Sequence, residues 1–134
     1  MGEAEVARIE SALGHPLPGE YRDFLRRHAD EVRRIKATLP QRAVLWTDAD
    51  AIIRENLAAR QRAAWMTVGE DEEPWPASYL VVGTNGAGDY WFVDRGGAMW
   101  GVGFYQHEAH EVEERYGSFE VYLAELRQEA RDAQ

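Results

Sequence analysis

Apolar residues recur at helical spacing in three stretches of the chain. Val6, Ile9 and Leu13 stand at i, i+3 and i+7, and Gly14 follows where a helix end favours a left-handed residue. Pro18 occupies the position of a first helical residue, where its missing N–H costs nothing, and Tyr21, Phe24, Leu25 and His28 continue at i, i+3, i+4 and i+7. Phe119, Tyr122, Leu123 and Leu126 repeat that spacing near the other end, with Ser118 as the cap and Glu120 at the positive end of the dipole.

The middle is read more coarsely. Val32, Ile35 and Leu39 extend the second helix toward Pro40, which ends it. Ala43 to Trp46 is expected to be a short strand. Thr47 with Asp50 predicts a further helix that buries Ile52, Ile53 and Leu57 and runs to about Ala63. Residues 69–77 are expected to be a loop, because four adjacent acids repel one another and two prolines forbid helix and central strand.

The pattern then changes to short apolar and aromatic runs. Tyr79–Val82, Tyr90–Val93 and Trp100–Tyr105 are separated by the turn residues Asn85-Gly86-Ala87-Gly88 and Asp94-Arg95-Gly96-Gly97. Gly101 and Gly103 in the third run indicate a bulge or a close approach of backbone. In the second run, alternation turns Tyr90 and Phe92 to one face and Trp91 and Val93 to the other, leaving two exposed aromatics unless both faces are covered. Helices before and after consecutive strands give an α+β fold: an antiparallel sheet or meander with N-terminal and C-terminal helices packed on it.

At 134 residues, one domain over 1–134 is expected, large enough to fold without a staple. There is no cysteine, which removes disulfides, thiolate nucleophiles and Cys-based metal sites, and suits a cytoplasmic location. Met1 to Glu5 is acidic, with no apolar core of a secretory signal. No apolar run approaches the roughly 20 residues of a membrane helix, so no membrane partner is expected.

Charge sharpens the picture. Residues 1–65 carry 10 acids and 11 bases, whereas residues 66–134 carry 14 acids and 4 bases. The whole excess of the −9 net charge lies in the second half. That half would repel phosphates, which argues against direct nucleic-acid binding and for a cationic protein partner. Acidity also keeps a small protein soluble, so charge alone does not decide the matter.

Candidate catalytic groups do not assemble. His107-Glu108-Ala109-His110-Glu111 is one residue short of the His-Glu-x-x-His zinc motif; its two histidines and two carboxylates could bind a divalent metal, but no further His or Cys lies nearby to complete a tetrahedral site, and it reads as an exposed acidic loop. Gly83 to Gly88 joins two strands, lacks lysine and leads into Asp89, so it reads as a turn and not a phosphate cradle. No serine sits in a nucleophile elbow, and no pair of carboxylates is singled out. No enzyme activity, cofactor or metal is expected.

Leu17-Pro18-Gly19-Glu20-Tyr21-Arg22-Asp23-Phe24-Leu25 resembles the "LP-x-x-Y-x-x-F-L" signature of the SMI1/KNR4 (SUKH) superfamily. Tyr79 to Asp89 resembles that family's strand, Gly-rich turn and acidic residue, and Asp94 falls at its aspartate ending the next strand. Ser118-Phe119-Glu120-Val121-Tyr122-Leu123 resembles its closing helix. The resemblance implies a single SMI1/KNR4-like domain of helices on an antiparallel sheet, and a non-catalytic role. Bacterial members of the family are commonly immunity proteins that bind and neutralise a toxin, often a nuclease. Fungal members regulate cell-wall synthesis through protein contacts.

The expected function is therefore toxin neutralisation by protein binding; the alternative is a regulatory or scaffolding domain that recruits a cellular protein. Aromatic anchors ringed by carboxylates are what such a face would use. The residues expected to bind the partner are Glu70, Asp71, Glu72, Glu73, Trp75, Asp89, Tyr90, Glu108 and Glu111.

Overall fold

The computed structural model describes residues 1–62 and 66–134. Three helices come first: α1 (Glu3–Leu13), α2 (Gly19–Thr38) and α3 (Ala49–Gln61). Four strands follow, β1 (Tyr79–Thr84), β2 (Tyr90–Asp94), β3 (Val102–Gln106) and β4 (Glu111–Tyr116), and α4 (Phe119–Asp132) closes the chain. The strands form one antiparallel meander in the order β1-β2-β3-β4. The α+β architecture expected from the alternation of periods is the one observed.

The helices form where apolar spacing and caps agree. In α1, Val6, Ile9 and Leu13 are buried, and Gly14 ends the helix in the left-handed region. Pro18 is the N-cap of α2, one position earlier than expected, and the helix runs without a break to Thr38. Ser118 caps α4, its hydroxyl accepting from the Val121 amide. The two helical segments that carried the family resemblance meet in the core. The Tyr21 and Phe119 rings stack at 5.7 Å, and Phe24 meets Phe119 edge-on at 4.8 Å. Such pairs add about 0.5–1.5 kcal/mol each beyond the area they bury.

Strands β1 to β3 are buried on both faces. Leu80, Val82, Trp91, Val93, Val102 and Tyr116 join the main core beneath the helices. Val81, Phe92 and Tyr105 face the other way, into a second cluster with Ala59, Met66 and Trp75. Trp75 stands edge-on to Tyr79, Phe92 and Tyr105 at 5.2–5.5 Å. The segment after α3 therefore acts as a lid on the second face. This covers Phe92 completely and half-buries Tyr90, so β2 does not present two exposed aromatics.

Five local expectations are corrected. Ala43 to Trp46 is not a strand: the Leu45 amide donates to the Tyr122 hydroxyl and only the Trp46 amide reaches β1, at Val82 O. Asp48, not Thr47, caps α3 through the Ala51 amide. The buried stripe of α3 is Ala49, Ile52, Asn56 and Ala59, while Ile53 is half-buried and Leu57 is 39% exposed. The expected reach of α3 to Ala63 lies outside the described residues. The third strand begins at Val102 and leaves Trp100 77% exposed in the preceding turn. Finally, the acidic loop expected over His107 to Glu111 ends at His110, and Glu111 opens a further strand, Glu111–Tyr116. Its Glu-rich sequence has little strand propensity, and pairing with β3 overrides that local preference. Among the described residues, no helix is long and apolar enough to cross a membrane.

Candidate protein-binding face at one end of the sheet

A meander places alternate turns at the same end. The β1–β2 turn (85–89) and the β3–β4 turn (107–110) therefore lie side by side, and the structure ties them together. Asp89 Oδ1 accepts from the His107 amide at 3.0 Å and pairs with the His107 ring Nδ1 at 2.7 Å. Asp89 Oδ2 accepts from Asn85 Nδ2 at 2.9 Å. Burial acts to raise the Asp89 carboxyl, but the hydrogen bonds from Asn85 and His107 outweigh it and hold it below its usual range. Gly88 has a φ of +95°, and a Cβ there would stand 3.1 Å from the His107 ring, so both backbone and contact favour glycine.

The acidic segment 70–73 joins the same end from the other direction. The Gly69 amide donates to His110 O at 2.6 Å, and Val68 and Glu73 exchange two backbone hydrogen bonds that close the loop. Thr67 Oγ1 lies 2.8 Å from His110 Nδ1, and Glu72 Oε1 lies 3.4 Å from His110 Nε2. Glu72 and His110 are also the non-glycine residues with positive φ among those described, at 48° and 54°. Two left-handed residues thus face each other where the loop meets the turn, each costing of order 1–3 kcal/mol in local strain.

The nine residues expected to bind a partner divide as follows. Glu70, Asp71, Glu72, Glu73, Glu108 and Glu111 are exposed. Asp89 is half-buried and braces the two turns. Tyr90 is half-buried; its hydroxyl accepts from Arg62 Nη2 at 3.3 Å, with the guanidinium 6.0 Å from its ring centroid. Trp75 departs from the expectation: at 7% exposure it is interior, anchoring the loop to the second core and unavailable to a partner. Its prolines and acidic neighbours suggested a surface position, but the apolar second face of the sheet claims the indole.

The face is held together by side chains that were not expected to brace it. Asn85, Thr67, His107 and His110 each spend a polar group on a turn, and nothing in the sequence marks the long-range pairs Thr67–His110 and Asp89–His107. Glu113 and Glu114 on β4 add two exposed carboxylates beside Glu111. The two histidines serve different partners, and among the described residues no three His, Asp or Glu side chains are grouped so as to hold a metal ion. At the opposite end of the sheet, Asp94 accepts from the amides of Gly96, Ala98 and Met99 at 2.9–3.2 Å, which explains an aspartate at the end of β2 as the fastener of a turn.

The arrangement is chemically suited to attracting positive charge, with its carboxylates outward and its hydroxyl and imidazole groups engaged in structure. No curated protein and no solved structure matches the chain. The model of the SMI1 / KNR4 family (SUKH-1) matches residues 2–125, from the start of α1 into α4, and the chain belongs to that family.

Proposed function

We propose that the chain acts as a single non-catalytic SMI1/KNR4-like domain over 1–134, an immunity protein of the cytoplasm that grips and neutralises a cationic toxin domain, such as a nuclease. The observation that carries this reading is convergence. Glu70 to Glu73, Asp89 and Glu108 come from three separate loops and Glu111 from the start of β4, yet hydrogen bonds through Gly69, His107 and His110 bring them to one end of the sheet. A nuclease must attract phosphate and so carries positive charge around its site. An acidic cover can seat there while repelling the substrate.

The test is association with a cognate toxin domain, followed by surface plasmon resonance. The variant E70Q/D71N/E72Q/E73Q removes four exposed charges. It should slow association by roughly tenfold at low salt and flatten its salt dependence, with little change in dissociation. An association rate indistinguishable from that of the parent would move the contact face elsewhere. Failure to protect cells that express the toxin, with binding intact, would favour the scaffolding alternative.

A further inference from the structure

The sheet has two outer edges, and the chain treats them differently. Along β1, Asn56 of α3 donates from Nδ2 to Val81 O and accepts the Val81 amide at Oδ1, at 2.8 and 2.9 Å. The Trp46 amide donates to Val82 O at 2.9 Å. That edge is occupied. β4 pairs with β3 from Glu111 to Tyr116, and among the described residues no other group hydrogen-bonds to its main chain. In an antiparallel ladder, alternate residues turn their N–H and C=O away from the partner strand. The outer edge of β4 is therefore a bare template for one more strand.

The side chains select what can use it. Glu111, Glu113 and Glu114 are exposed, and the only base on the strand, Arg115, lies with its guanidinium 5.4 Å from the Tyr116 ring centroid. A second copy of β4 is a poor occupant. Antiparallel self-pairing centred on Glu113, on Glu114 or between them sets glutamate directly opposite glutamate. An extended segment with lysine or arginine at alternating positions meets the opposite situation: its main chain completes the ladder and its cations, all on one face, stand beside Glu111 and Glu113.

We propose that the outer edge of β4 is a strand-docking site for a basic extended segment of the partner protein. This rests on the acidic-face reading above, which β4 continues from Glu111, and it adds the mode of recognition: main-chain pairing, with charge choosing the strand.

The experiment uses the full chain and backbone-amide hydrogen exchange by NMR. The probes are blocked hexapeptides: acetyl-Lys-Val-Lys-Thr-Lys-Val-amide, its fully N-methylated analogue, and the same sequence with Glu for Lys. The basic peptide should slow exchange of alternate β4 amides at least tenfold at saturation. The methylated and acidic peptides should not. The variant E113K/E114K, changed at two exposed positions, should reverse the preference toward the acidic peptide. If the methylated peptide binds as well as the parent, with shifts confined to residues 70–73 and 107–110, strand pairing is refuted while the acidic face stands. If neither basic peptide binds at millimolar concentration, both readings fall.

Discussion

Asn56 offers the most direct check on how the sheet is attached to the helices. It is 5% exposed, and its carboxamide makes three hydrogen bonds: Nδ2 to Ile52 O and to Val81 O, both at 2.8 Å, and Oδ1 from the Val81 amide at 2.9 Å. Replacing it with leucine of similar size fills the space and excludes water. Ile52 O keeps its helical partner, but the Val81 N–H and C=O are left unpaired at a residue with no exposed surface. Each of the two orphaned groups costs about 1–3 kcal/mol, and the added apolar contact returns about 1, so N56L should lose roughly 1–5 kcal/mol. N56A leaves room for water to bridge the gap and should lose less. N56D keeps the acceptor for the Val81 amide but sets a carboxylate against two carbonyls. It should be the worst of the three at neutral pH and recover as acid neutralises it. Urea unfolding followed by circular dichroism gives these differences, with an unchanged m-value showing that the folded state is intact. An N56L protein within about 0.5 kcal/mol of the parent would refute the view that this side chain substitutes for a missing strand partner.

Other expectations follow from single contacts. A Cβ on Gly101 would fall on the Tyr116 carbonyl oxygen, at a φ of +69°, so G101A should destabilise more than G103A, whose clashes with Phe92 Cζ (2.5 Å) and Met99 Sδ (2.7 Å) involve movable side chains; thermal unfolding of the two variants decides the order. D94A removes the acceptor of three turn amides and should speed hydrogen exchange at Gly96, Ala98 and Met99 while leaving the amides of β1 nearly unchanged. Asp89 is held below its usual range in the folded state, so its contribution to stability is present above the unfolded value and is lost as pH falls through the folded one. D89N should therefore flatten the acid limb of the stability–pH profile, and an unchanged limb would show that the carboxylate is not what braces the two turns.

Much of the fold was legible because it rests on local rules. The spacing Tyr21, Phe24, Leu25 and the Ser118 cap are short-range features, and they predict α2 and α4 well. What failed depends on distant partners. Ala43 to Trp46 has the composition of a strand, but the Tyr122 hydroxyl takes its central amide. Only Glu111 of the fourth strand was read, as the end of a loop, and β3 offers it and the residues to Tyr116 a ladder. Asn56 carries no mark in the sequence, because its role exists only once β1 is set beside it. The acids of the candidate face were readable as a charge imbalance, and their grouping was not, because it depends on the links from Gly69 to His110 and from Asp89 to His107. Trp75 was misplaced for the same kind of reason: the apolar floor it covers is built by residues later in the chain.

The unequal edges of the sheet also bear on self-association. Amyloid-like growth needs a molecule that is sticky on both sides, so that each addition exposes a fresh template. Here Asn56 and Trp46 cap one side permanently. A second copy that joined through its own β4 would bring its own covered β1 edge, so growth would stop at a pair.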